Sequence, residues 1–145
     1  MNKFYSLAAA VLVSLGATAQ TVDVTFNMDM SVYVAAGNTV DPDKLVRVTG
    51  NWTNPTWSPD NDAYKLTQVS GTNTYTGTFS VDVSTVPDGM EFKFLVNNAW
   101  GDCHVAQECL SGSCTNGSND NRFIAAAQLS GNLSYSAVWD SCSNT

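Results

Sequence analysis

The stretch Met90-Glu91-Phe92-Lys93-Phe94-Leu95-Val96-Asn97-Asn98-Ala99-Trp100-Gly101 constrains the fold of this chain more than any other. Phe92, Phe94 and Val96 alternate with Glu91, Lys93 and Leu95, so the phenylalanines point to one side of a sheet. Asn97-Asn98 tolerates the positive φ angles of a two-residue hairpin turn. A turn that tight sets Val96 opposite Ala99, Leu95 opposite Trp100, and Lys93 opposite Asp102. Trp100 then shares the outer face with Lys93, and a large ring beside a long cation can build a site for a flat, hydroxyl-rich ligand. The plainer alternative is that Lys93 pairs with Asp102 and Trp100 covers the sheet edge.

The same alternation recurs along the chain. Val22, Val24, Phe26 and Met28 face inward on a first strand, and Met30, Val32 and Val34 continue its parity. Lys44–Gly50 reads as a second strand, Tyr64–Val69 as a short third, and Thr74–Val83 as a fourth with Tyr75, Gly77, Phe79, Val81 and Val83 on one face. Arg122–Ala127 and Leu133–Trp139 close the series. Helical periodicity is missing after the first residues, and Gly, Pro, Asn and Asp punctuate the strands. At 145 residues the expectation is one all-β domain, an immunoglobulin-like β-sandwich of about seven or eight strands.

Residues 1–20 read as a signal peptide. Lys3 is followed by an apolar run from Leu7 to Leu15 and by the small-x-small signal Ala17-Thr18-Ala19. The run is shorter than the roughly 20 residues a membrane span requires. The expected product is a secreted chain over 21–145, extracellular, periplasmic or at the cell surface, cut near Ala19 or Gln20, with no membrane insertion. A net charge of −7 argues against nucleic acid and anionic membranes as partners. Cys103, Cys109, Cys114 and Cys142 form an even set suited to an oxidising compartment. Three pairings are open; the expected one is Cys109–Cys114 with Cys103–Cys142. A metal site is disfavoured because no Cys-x2-Cys knuckle exists and the sole histidine, His104, adjoins Cys103. No metal and no cofactor is expected.

Exposed tryptophans carry the functional reading. Trp52 and Trp57 sit with Pro55 and Pro59 in an aperiodic loop over 51–62, whereas Trp139 lies in a terminal strand and reads as structural. Preshaped aromatic platforms suit sugar rings, with Asn, Asp and Lys binding the hydroxyls. Catalysis has little support: a lone histidine offers no Ser-His-Asp arrangement, and the pairs Asp41/Asp43 and Asp60/Asp62 read as turn formers. Those pairs also lack the rest of a calcium loop.

Three segments together resemble a known family: Gly50-Asn51-Trp52-Thr53-Asn54-Pro55-Thr56-Trp57-Ser58, Phe92-Lys93-Phe94 through Trp100, and Asn119-Asp120-Asn121-Arg122-Phe123. They resemble the starch- and glycogen-binding modules, which include the glycogen-binding domain of the AMP-activated kinase β-subunit. The opening Val-Thr-Phe-Asn-Met-Asp-Met resembles secreted domains of this group from Bacteroidetes-type bacteria. The resemblance implies a non-catalytic module that binds α-glucan-like polysaccharide. It assigns Trp57 and Trp100 to sugar stacking and Lys93 and Asn121 to hydroxyls. Trp52 stands where the family has Phe, so the first platform is Trp52 or Trp57. The cysteine-bearing stretch over 101–118 replaces a shorter connection. The alternative is an extracellular structural or protein–protein interaction module on the same fold, and association with a larger extracellular complex stays open.

Overall fold

The structure, a computed structural model, describes residues 20–116 and 119–143. The expected leader lies outside these residues except for Gln20. Among the described residues seven strands form: β1 (Thr21–Asp29), β2 (Val46–Gly50), β3 (Lys65–Gln68), β4 (Thr74–Asp82), β5 (Met90–Val96), β6 (Arg122–Ile124) and β7 (Leu133–Val138). The all-β expectation holds. The strands join in a single sheet of order β6-β5-β2-β3-β4-β1-β7, antiparallel throughout except for the parallel pair β1–β7. The expectation of a sandwich is finer than what forms, which is one curled, half-barrel sheet rather than two separate sheets.

Strand β3 makes the curl. Its first half pairs with β2 (Leu66 opposite Val46), and its second half pairs with β4 (Thr67 opposite Thr76). The halves on either side close over a common core. Phe26 of β1 lies 5.0 Å from Phe92 and 5.7 Å from Phe94 of β5, although three strands separate β1 and β5 in the sheet. Val22, Val24, Phe26 and Met28 are all buried on one face, as their alternation predicts. Burying side chains of this size stabilises the fold by about 1.5–3 kcal/mol each.

The strand does not continue past Asp29. A short helix, α1 (Ser31–Ala35), replaces the expected extension. Met30 and Tyr33, one turn apart, go into the core, while Val32 and Val34 turn outward. The Ser31 N–H donates to Oδ1 of Asp29 at 2.8 Å, and the Tyr33 ring meets Trp139 edge-on at 5.3 Å. Trp139 is buried, in keeping with a structural role.

The hairpin after β5 also departs from expectation. Asn97 and Asn98 adopt positive φ of 63° and 65°, as a tight turn requires. The chain does not return directly, however. Its return leg is residues 106–108: the Val96 N–H donates to the Ala106 carbonyl at 2.8 Å, Leu95 bridges Gln107, and the Glu108 N–H donates to the Phe94 carbonyl at 3.3 Å. Residues 99–105 bulge outward between the turn and that leg. The disulfides explain the geometry and correct the expected pairing. Cys103 bonds Cys109, pinching the bulge, and Cys114 bonds Cys142, tying the loop to the C-terminal segment.

Candidate functional site

Lys93 and Glu91 leave β5 on the face opposite Phe92 and Phe94, as strand parity dictates. In a bare sheet that face would meet solvent. Here the cysteine-linked loop covers it, and Lys93 is only 6% exposed and Leu95 fully buried. What anchors the cover is a buried ion pair that sequence reasoning missed. The Arg122 guanidinium donates to Glu108 from Nε at 2.9 and 3.1 Å and from Nη2 at 2.8 Å. Arg122 Nη2 also reaches the carbonyls of Val138 (2.9 Å) and Ser141 (3.1 Å), and Oε1 of Glu108 accepts the Phe94 N–H at 3.1 Å. Burial pushes the Glu108 carboxyl above its ordinary range, and the Arg122 charge pulls against that shift. Loop, β5, β6 and the C-terminal segment are thereby locked together.

Between this cover and the loop over 51–62 lies a cavity of about 590 Å³. Trp57, Trp100, Lys93 and Asn121 line it together with Glu91, Gln107, Asn119, Asp120 and the Cys103–Cys109 disulfide. The rings of Trp57 and Trp100 are 6.5 Å apart and inclined at 42°. Trp100 is 43% exposed and Trp57 half-buried.

Each ring is held by its own loop. Trp57 sits at φ 57°, and its N–H donates to the Gly50 carbonyl at 3.1 Å. The Thr53 hydroxyl lies 2.9 Å from the same carbonyl, the Asn54–Pro55 peptide is cis, and Asn61 Nδ2 donates to the Asn54 carbonyl at 2.9 Å. Trp100 rides on the disulfide-pinched bulge, where Gln107 Nε2 donates to the adjacent Gly101 carbonyl at 2.7 Å.

Trp52, the other candidate platform, is not in the cavity. It is 9% exposed, stacked on Phe26 at 5.9 Å and 20°, with Tyr64 edge-on at 5.2 Å. The parity of Val46, Val48 and Gly50 carries on into Trp52 and directs it inward, a signal already present in the sequence. Lys93 does not pair with Asp102; its ammonium donates to the Asn119 carbonyl at 2.8 Å. Asn121 Nδ2 donates to Oε2 of Glu91 at 3.3 Å. Glu91, Asn119 and Asp120 were missed as lining residues. Their only sequence signals are the parity of Glu91 with Lys93 and the adjacency of the other two to Asn121.

Chemically, the cavity offers two aromatic planes and, around them, amide, carboxylate and ammonium groups. That combination packs against ring C–H faces and exchanges hydrogen bonds with hydroxyls. His104 lies elsewhere, with Nδ1 2.8 Å from Oδ2 of Asp140. Among the described residues no group of three or more His, Cys, Asp or Glu is placed to hold a metal. No helix of the described residues is long and apolar enough to cross a membrane. Comparison with protein-family models, with curated proteins and with solved structures found no match.

Proposed function

We propose that this domain is a secreted, non-catalytic module that binds α-glucan-like polysaccharide. One observation carries the reading. Trp57 and Trp100, contributed by separate loops, meet 6.5 Å apart at a cavity that also holds Lys93 and Asn121. These are four of the five residues that the family resemblance singles out, and the fifth, Trp52, is accounted for by the core. On this reading the tilted rings stack successive glucose units, and the polar groups of Lys93 and Asn121 meet the hydroxyls. The two disulfides are compatible with an extracellular setting.

The test is affinity electrophoresis in native gels containing starch, glycogen, β-glucan or xylan. Retardation by starch or glycogen, lost in Trp100→Ala with an unchanged circular dichroism spectrum, is the expected outcome. Retention of Trp100→Ala equal to that of the parent would remove the site assignment. The exposure of Trp100 also suits a protein-contact surface. Mobility unchanged in every gel would favour that second reading.

A further inference from the structure

The charged groups around the cavity are Glu91, Lys93 and Asp120. They are unequal in what a ligand would meet. The one ammonium is nearly covered and already engaged: Lys93 is 6% exposed and donates to the Asn119 carbonyl. Neither carboxylate forms an ion pair among the described residues. Among the described residues the Glu91 side chain accepts from the neutral Asn121 amide, through Oε2, and Asp120 is exposed. The faces of the two tryptophans add partial negative charge, because an indole quadrupole attracts cations. The field of the whole chain, with its net charge of −7, has the same sign.

We propose that this cavity selects its glycan by charge: it favours a sugar ring bearing an ammonium group over a neutral ring, and turns away rings bearing carboxylate or sulfate. The proposal rests on the reading of Trp57 and Trp100 as a sugar platform and adds to it the class of substituent the platform accepts. An ammonium beside the stacked ring would meet Glu91 or Asp120 and the indole faces. A uronate in the same place would meet two carboxylates that have no ion-pair partner among the described residues, against the single, nearly covered ammonium of Lys93, one of whose donors is held by the Asn119 carbonyl.

The experiment uses calorimetric titration of the purified protein with three matched ligands. They are a soluble α-glucan oligosaccharide, its 6-amino-6-deoxy derivative and its C6-oxidised uronate. The amine should bind about threefold more tightly than the neutral sugar, and the uronate weaker by a similar factor, as for half-exposed charge pairs. Both ratios should shrink at high salt, and the amine-to-neutral ratio should shrink in Glu91→Gln and in Asp120→Asn. Equal affinity for all three, or tightest binding of the uronate, would overturn the proposal. Binding of the amine with no binding of the neutral sugar would support charge selection while overturning the α-glucan class. Binding of none would overturn both the platform and the selectivity built on it.

Discussion

Replacing Glu108 with Gln tests how the cover over β5 is held. Both partners of the Glu108–Arg122 pair are completely buried. The substitution keeps the shape and an oxygen for the Phe94 N–H. It deletes the charge, however, and sets an amide N–H2 against the guanidinium. Arg122 would remain as an uncompensated buried cation. Breaking a buried pair from one side costs about 3–5 kcal/mol, about a fifth or more of a typical domain stability of about 5–15 kcal/mol. Urea unfolding followed by circular dichroism should show the midpoint lowered by about 2 M with an unchanged slope, taking a slope of about 2 kcal/mol/M. The double variant Glu108→Leu/Arg122→Met should recover part of the loss, because no buried charge is left. The carbonyls of Val138 and Ser141 would still lack their donor, so recovery would be incomplete. A single variant within about 1 kcal/mol of the parent would refute the view that this pair fastens the loop.

Trp52→Ala should lower stability by about 3–5 kcal/mol in denaturant melts, since it empties the space between Phe26 and Tyr64; a change under about 0.5 kcal/mol would return Trp52 to the surface. Loss of Cys114–Cys142, which spans 28 residues, should cost about 3.6 kcal/mol by loop entropy, against about 2.2 kcal/mol for Cys103–Cys109, which spans 6. Serine replacements compared by thermal melts check that order, and the reverse order would contradict it. Lys65, and then Arg47, hydrogen-bond to Asp62 and hold its carboxyl below the usual range. A lowered folded value means the unfolded chain binds the proton better, so this contribution is present above about pH 3.9 and is lost as pH falls through the folded value. An NMR titration should place the Asp62 midpoint below that of an unstructured peptide; equal midpoints would refute it.

What the sequence made legible was whatever depends on neighbours along the chain. Strict alternation placed Val22 to Met28 and Phe92 to Val96 on their faces. Asn97-Asn98 announced its positive φ angles. Trp57, Lys93, Trp100 and Asn121 were each named from local motifs, and the fold brings them to one cavity. What stayed hidden depends on distant partners. Met30, Val32 and Val34 keep a strand's parity, yet the segment coils because Met30 and Tyr33 together fill the core beside Trp139. Nothing local distinguishes Glu108 and Arg122 from surface charges until β5 and β6 pair. Four cysteines allow three connectivities, and the one formed follows from where the loop folds back. That fold-back also displaced the return leg of the hairpin to 106–108, leaving Trp100 free to meet Trp57.

The central claim is that two of the four tryptophans face a ligand and two serve the core. Indole N–H signals in a proton–nitrogen correlation spectrum resolve all four as a soluble α-glucan oligosaccharide is added. The account predicts that the signals of Trp57 and Trp100 shift in a saturable way while those of Trp52 and Trp139 stay in place. Shifts at Trp52 or Trp139, or no shift at any of them, would contradict it.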